Sequence, residues 1–280
     1  MKPNFRFAPS PNGFLHLGHA YSALFSYHWA RKMNADFLLR IEDIDILRSR
    51  PQYIEAIKQD LTWLNIKWLE PIMLQSTRFS EYKKATKKLN DLGVLYPCFC
   101  TRSEIANNAE QKDPDGAPLY AKTCKNLNKD DIAKKIAQNI PYVLRLDMDK
   151  AIAKVGDLEI NIAMPNPSSK PKTVIANPKK WGDVVIVRKD IPTSYHLSVI
   201  IDDDAQNITH LIRGKDLEQA THVHRVLQSL LGLNSPIYTH HTLIKDDTNM
   251  KLAKSKHSTP LRDLRESGIS AQEIISQFDF

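Results

Sequence analysis

Short apolar runs that alternate with helix-length amphipathic segments constrain this chain more than any other feature. Phe5–Ala8 reads as a strand, and Pro9, Pro11 and Gly13 then punctuate a loop. From Leu17 the apolar set Ala20, Leu24, Tyr27 and Trp29–Ala30 recurs at helical spacing up to Met33. Phe37–Ile41 predicts a second buried strand, ending in Glu42, Asp43 and Asp45. Pro51 opens a helix with Ile54, Ile57, Leu61 and Leu64 on one face. Ser80 predicts the cap of a further helix, which Gly93 ends. Alternation of this kind implies an α/β fold with a parallel sheet built from βαβ units.

Residues 96–190 break the rhythm. They hold all three cysteines, a polar loop (Asn107–Pro118), an expected strand pair near Tyr142–Asp149 and the Pro/Lys-rich stretch Met164–Lys180. The alternation then resumes, with Leu197–Ile201 and Ile208–Ile212 as strands. Leu217–Leu231 follows as a helix closed by Gly232, and Ile237–Ile244 as a last strand. The expected organisation is a nucleotide-binding domain in two halves, 1–95 and 191–280, interrupted by a smaller inserted domain at 96–190.

Composition excludes several classes. With 42% hydrophobic and 25% charged residues, disorder and collagen-like structure are ruled out. No apolar run is long enough to span a bilayer, and the N-terminus lacks the apolar core of a secretion signal. The chain is expected to be a cytoplasmic monomer that does not bind membranes. Three cysteines clustered between positions 98 and 124 fit a metal site better than a disulfide framework. A net charge of +7 is compatible with a polyanionic partner without naming one.

Two motifs carry chemistry. His16-Leu17-Gly18-His19 opens the first helix, and i,i+3 spacing puts both imidazoles on one face of its first turn. A helix N-terminus attracts phosphate, and two histidines beside it can donate hydrogen bonds as negative charge grows on a phosphorus under attack. Gly18 lets a flat base approach the helix backbone. Near the other end, Lys251-Leu252-Ala253-Lys254-Ser255 offers two ammonium groups to a pyrophosphate. Taken singly, the first could be two histidines at a helix start and the second a solvated basic run.

Together with Arg6-Phe7-Ala8-Pro9-Ser10-Pro11-Asn12-Gly13, Leu39-Arg40-Ile41-Glu42-Asp43-Ile44-Asp45 and Ile212-Arg213-Gly214-Lys215-Asp216-Leu217, these motifs resemble the class I aminoacyl-tRNA synthetases, in their glutamyl branch. The resemblance implies a Rossmann-type catalytic domain with an inserted acceptor-stem-like domain. It also implies that His16, His19 and Lys254 are catalytic and that Gly18 and Lys251 join them in binding ATP, with Mg²⁺ accompanying the nucleotide. Arg6, Phe7, Ala8, Pro9, Ser10, Glu42, Tyr195 and Arg213 match the branch's glutamate-binding positions, Glu42 for the α-ammonium and Arg213 for the side-chain carboxylate. Cys98, Cys100, Tyr120 and Cys124 match a structural zinc site, one ion per chain. Read from the residues alone, Arg6 and Arg213 could instead be structural ion-pair members with Asp43 or Asp216.

Phe280 follows Lys254 too closely for a stem-contact region and an anticodon-binding domain, so neither is expected. The resemblance is therefore closest to the branch's short paralogues, which attach ATP-activated glutamate to the queuosine base of tRNA(Asp). Two alternatives are a truncated enzyme charging a tRNA 3′ end and a catalytically silent paralogue that binds tRNA or amino acid. Ala253 stands where serine is common in the lysine loop, removing a hydroxyl. Asn12 stands where threonine is frequent and suits a turn equally well.

Overall fold

The computed structural model describes residues 2–164, 166–244 and 259–278. In chain order the elements are β1 (Asn4–Phe7), α1 (Leu17–Lys32), β2 (Asp36–Ile41), α2 (Pro51–Trp63), β3 (Leu69–Leu74), α3 (Phe79–Asp91) and β4 (Leu95–Cys98). There follow α4 (Arg102–Asn107), α5 (Lys129–Ala137), β5 (Val143–Leu146), α6 (Met148–Val155), β6 (Glu159–Ile162), β7 (Lys172–Ile175) and β8 (Val185–Val187). The chain continues through α7 (Tyr195–Ala205), β9 (His210–Gly214), α8 (Ala220–Leu231), β10 (Ile237–His241), α9 (Leu261–Glu266) and α10 (Ala271–Ile275).

β1, β2 and β3 form a parallel sheet, and β9, β10 and β6 a second parallel run with β7 added antiparallel at its edge. Asn4 joins the two: its carbonyl accepts from the Thr209 amide at 3.1 Å, and its amide donates to Thr209 Oγ1 at 2.8 Å. This is the parallel architecture that the alternation predicts. β4, β5 and β8 make a separate antiparallel sheet. The pairing of β6 with β10 means that part of the 96–190 segment extends the catalytic sheet.

α1 buries Ala20, Leu24, Trp29 and Ala30 of the set read from the sequence against β1 and β2, with Ala23 and Phe25 joining them and Tyr27 only partly buried. A second core lies among α3, α6, α7 and α8, around Tyr82, Met148, Leu197 and Val223. Among the described residues no helix is long and apolar enough to cross a membrane.

Three local expectations are corrected. Leu197–Ile201 is not a strand but the middle of α7. That helix is buried on nearly every side, including Asp202 and Asp203, so it shows none of the amphipathic period that identifies a surface helix. The segment Tyr142–Asp149 holds one strand, after which Asp147 caps α6 by accepting from the Lys150 amide at 3.1 Å. Ser80 does not cap α3; the N-cap is Arg78, and Ser80 sits inside the first turn. Gly93 does end that helix, at φ +70°, a conformation that costs glycine little.

Candidate active site

The turn after β1, the first turn of α1, the end of β2, the start of α7 and the ends of β9 and β10 enclose a cleft of about 490 Å³. It opens at the carboxyl ends of the parallel strands, where α/β sheets take their ligands. Arg6–Ser10, His16, Gly18, His19, Glu42, Tyr195 and Arg213 all line it. Lys251 and Lys254 lie outside the described residues.

The two histidines hold each other through the backbone. His16 is the N-cap of α1, and its Nδ1 accepts from the Gly18 amide at 3.1 Å. His19 Nδ1 accepts from the His16 amide at 3.2 Å, completing a capping box built of imidazoles with ring centres 3.9 Å apart. A neutral imidazole that accepts at Nδ1 carries its proton on Nε2. Both rings thus present an N–H donor at the positive end of a sixteen-residue helix.

Arg6 and Arg213 differ in what surrounds them. Arg6 Nε and Nη2 donate to the two oxygens of Asp203, at 3.1 and 3.4 Å. Arg40, fully buried, donates to Asp203 Oδ1 at 2.7 Å and to Glu42 Oε1 at 3.2 Å. Burial works against the Asp203 charge, but Arg6 and Arg40 outweigh it and hold the carboxyl below its ordinary range. For Glu42 the balance reverses: burial prevails over Arg40 and Arg6, and its carboxyl rises.

Arg213 is only 4% exposed, and among the described residues no carboxylate pairs with it. Its donors reach Tyr195 Oη at 3.3 Å, Thr221 Oγ1 at 2.5 Å, His224 Nδ1 at 3.3 Å and His240 Nε2 at 3.4 Å, all neutral groups. Neither Asp43 nor Asp216 is its partner or that of Arg6. Asp43 instead accepts from the Ser76 amide and hydroxyl, at 2.8 and 2.6 Å. At Gly214 a Cβ would lie 2.8 Å from Leu243 Cδ2 and closer still to Asp216 Oδ1, so a larger residue there would push both side chains aside at the cleft wall.

Some distance along the chain, the Sγ atoms of Cys98, Cys100 and Cys124 lie within 4.8 Å of one another, Cys100 and Cys124 at 3.5 Å. Tyr120 Oη accepts from the Cys124 amide at 2.8 Å and also hydrogen-bonds Cys98. Four thiolate and oxygen donors around Zn²⁺ need sulfurs roughly 3.7 Å apart for a Zn–S distance of about 2.3 Å, a separation within a few tenths of an ångström of the Cys100–Cys124 pair. The Arg145 guanidinium stacks 3.8 Å over the Tyr120 ring. Burial raises the Cys98 thiol, but hydrogen bonds from Tyr120 and Arg145 more than offset it. Cys100, half-buried and facing two other sulfurs, is pushed up to about 12. Three cysteines this close can bind a metal.

Residues 4–278 match the family described as class I tRNA synthetases (E and Q), catalytic domain. The chain belongs to that family. It is a ligase of the class I synthetase kind, and its α/β fold with a parallel sheet is that of the family's catalytic domain. A Rhodobacter capsulatus protein named glutamyl-Q tRNA(Asp) synthetase is 42% identical over 277 residues, covering 96% of this chain and 97% of its own length. A Hydrogenobaculum glutamate–tRNA ligase is 36% identical over 97% of this chain, but the match takes in only 56% of the ligase. Among solved structures, the Elizabethkingia anophelis glutamate-tRNA synthetase superposes with a TM-score of 0.72 at 28% identity, covering 96% of this chain and 54% of that one. This class I synthetase chain thus spans about half the length of the glutamate–tRNA ligases it matches.

Sequence reasoning missed Asp203 and Arg40 as the groups behind Arg6 and Glu42. It also missed the Thr221, His224 and His240 set behind Arg213. One signal was available: Thr221 and His224 stand at i,i+3 on the apolar face of α8, where a polar pair is unexpected.

Proposed function

We propose that this chain activates L-glutamate with ATP and transfers the glutamyl group to the queuosine base of tRNA(Asp). The observation that carries the reading is the setting of Arg213. Among the described residues its buried guanidinium is bounded by neutral groups, which is costly unless an anion completes it. The side-chain carboxylate of glutamate supplies that anion in bidentate form. The amide of glutamine would turn an N–H₂ toward N–H donors, a mismatch that rejects near-isosteres strongly. Glu42 faces the α-ammonium, and Arg6, held by Asp203, completes the clamp with Phe7, Ala8, Pro9 and Ser10 as the close wall.

An oxygen of the glutamate α-carboxylate attacks the α-phosphorus of ATP, breaking the bond to pyrophosphate and forming glutamyl-adenylate. The Nε2–H groups of His16 and His19 and the α1 N-terminus oppose the charge that grows on the phosphoryl oxygens. Gly18 leaves room for the adenine, and Lys251 and Lys254 neutralise the pyrophosphate. Mg²⁺, when present with ATP, adds further charge neutralisation. A hydroxyl of the queuosine ring then attacks the adenylate carbonyl, releasing AMP and a proton. The name of the Rhodobacter capsulatus relative, matched over 97% of its own length, supports this acceptor. Cys98, Cys100, Cys124 and Tyr120 hold a Zn²⁺ that braces the segment around 96–190 as an insert between halves 1–95 and 191–280.

The test is glutamate-dependent ATP–pyrophosphate exchange, with and without tRNA, followed by transfer of labelled glutamate to queuosine-containing and queuosine-free tRNA(Asp). The reading expects exchange, and labelling only where queuosine is present. Absence of exchange removes the enzyme, and equal labelling of both tRNAs removes the acceptor.

A further inference from the structure

The groups around Arg213 have one property in common: they orient the guanidinium without cancelling its charge. Arginine can only donate, so His224 Nδ1 must accept from it, which fixes the His224 proton on Nε2. That proton points at His196 Nδ1, 3.2 Å away, which fixes the His196 proton on Nε2 in turn. On the other side, His240 Nε2 receives the Arg213 Nε–H and the Thr221 hydroxyl, at 3.4 and 3.3 Å. Packing locks the rings. Trp181 meets His196 edge-on with centroids 5.4 Å apart, and Tyr238 stacks on His240 at 6.1 Å. Burial, with Arg213 adding to it, holds His196 near 4 and His240 near 3 and carries His224 well down. All three imidazoles are therefore neutral acceptors or relays at physiological pH.

Arg6 shows the contrasting solution. It is oriented by a carboxylate, Asp203, and its charge is largely spent inside the protein. We propose that Thr221, His224 and His240 form an uncharged cradle that positions Arg213 and reserves its positive charge for the substrate's side-chain carboxylate, making His224 a specificity-determining residue. The inference rests on the glutamate reading of the cleft. His224 does not touch the substrate; it acts through Arg213.

The experiment compares wild type, His224→Asn and His224→Asp in ATP–pyrophosphate exchange, with glutamate as substrate and glutamine as competitor, and in thermal unfolding without ligands. Asparagine keeps a neutral acceptor and is expected to leave KM for glutamate within about fivefold. Aspartate supplies an internal counter-ion in place of the substrate carboxylate. KM for glutamate is then expected to rise at least about 30-fold, the size of a lost buried charge pair, with a much smaller change in kcat. Preference over glutamine should fall with it, while the unfolding midpoint stays level or rises because a buried cation has gained a partner. A merely structural histidine would give the reverse pattern, with stability lost in both variants and no selective change in KM. Unchanged KM in His224→Asp, equal KM increases in both variants, or a lower midpoint or loss of fold in His224→Asp overturns the cradle. Wild-type exchange is read separately and tests the glutamate reading; the unfolding comparison needs no substrate and judges the cradle whichever way that falls.

Discussion

Replacing Arg40 and Arg213 by methionine, one at a time, should separate a cation kept for the fold from one kept for a ligand. Both are buried, Arg40 at 0% and Arg213 at 4% exposure, so size and desolvation are nearly matched. Arg40→Met strips Asp203 of its closest partner and leaves Glu42 without its hydrogen bond. Breaking a buried pair in this way costs about 3–5 kcal/mol. In a chain of this size that lowers Tm by roughly 6–20 °C, at about 2–4 °C per kcal/mol. Arg213→Met strands no carboxylate among the described residues. The lost hydrogen bonds to neutral acceptors are offset by removal of a buried charge, and the change should stay within about 1 kcal/mol of zero. Urea unfolding with and without glutamate provides the assay. In wild type, glutamate at a hundred times its Kd should add about 2.7 kcal/mol, and in Arg213→Met nothing. Should Arg213→Met prove as destabilising as Arg40→Met, or retain the full glutamate effect, the assignment of Arg213 to an external anion is wrong.

Three other outcomes are expected. Asp60 is fully buried, and burial, only partly opposed by Arg265, raises its carboxyl from 3.8 to about 6. The folded state therefore binds this proton more tightly than the unfolded chain, so its contribution to stability is greatest below about pH 4 and is lost as pH rises through 6. Asp60→Asn should flatten that stretch of the stability–pH curve in urea titrations, and an unchanged slope refutes it. His16→Ala should cut exchange kcat by about 10²–10³ through loss of a transition-state donor while costing only about 1 kcal/mol of fold as a lost cap; equal kcat refutes the role. Cys124→Ser should lower bound zinc, measured by elemental analysis, to well under half an ion per chain and lower Tm, whereas wild-type zinc content in this variant refutes the site.

What could be read from the sequence was what lies close together along it. The His16–His19 pair is a contact within one helical turn, so spacing alone placed both rings on one face. The parallel sheet followed from strands whose apolar runs stand clear of their helices. Arg6, Glu42 and Arg213 could be found because strand ends bring motif residues to one edge, but their supports could not. Asp203 meets Arg6 and Arg40 across 197 and 163 positions, and no local pattern announces such a partner. α7 was misread for a related reason. Its acids are buried against arginines rather than turned to water, so polarity gave the wrong sign for exposure. The attachment of β6 to β10 was equally hidden, since a strand's neighbour is set by the sheet and not by its own residues.

Asp202 and Asp203 are successive residues that serve opposite halves of this arrangement: the first takes Gln75, Arg78 and Tyr82, the second Arg6 and Arg40. On a ribosome, Arg40 is made 163 positions before Asp203, the nearer of its two acids. At about 5–20 residues per second the interval is roughly 8–30 s. Throughout it Arg6 and Arg40 lack the acid that ties them to the later half of the chain, so the junction of β1 and β2 with α7 waits for a helix not yet translated.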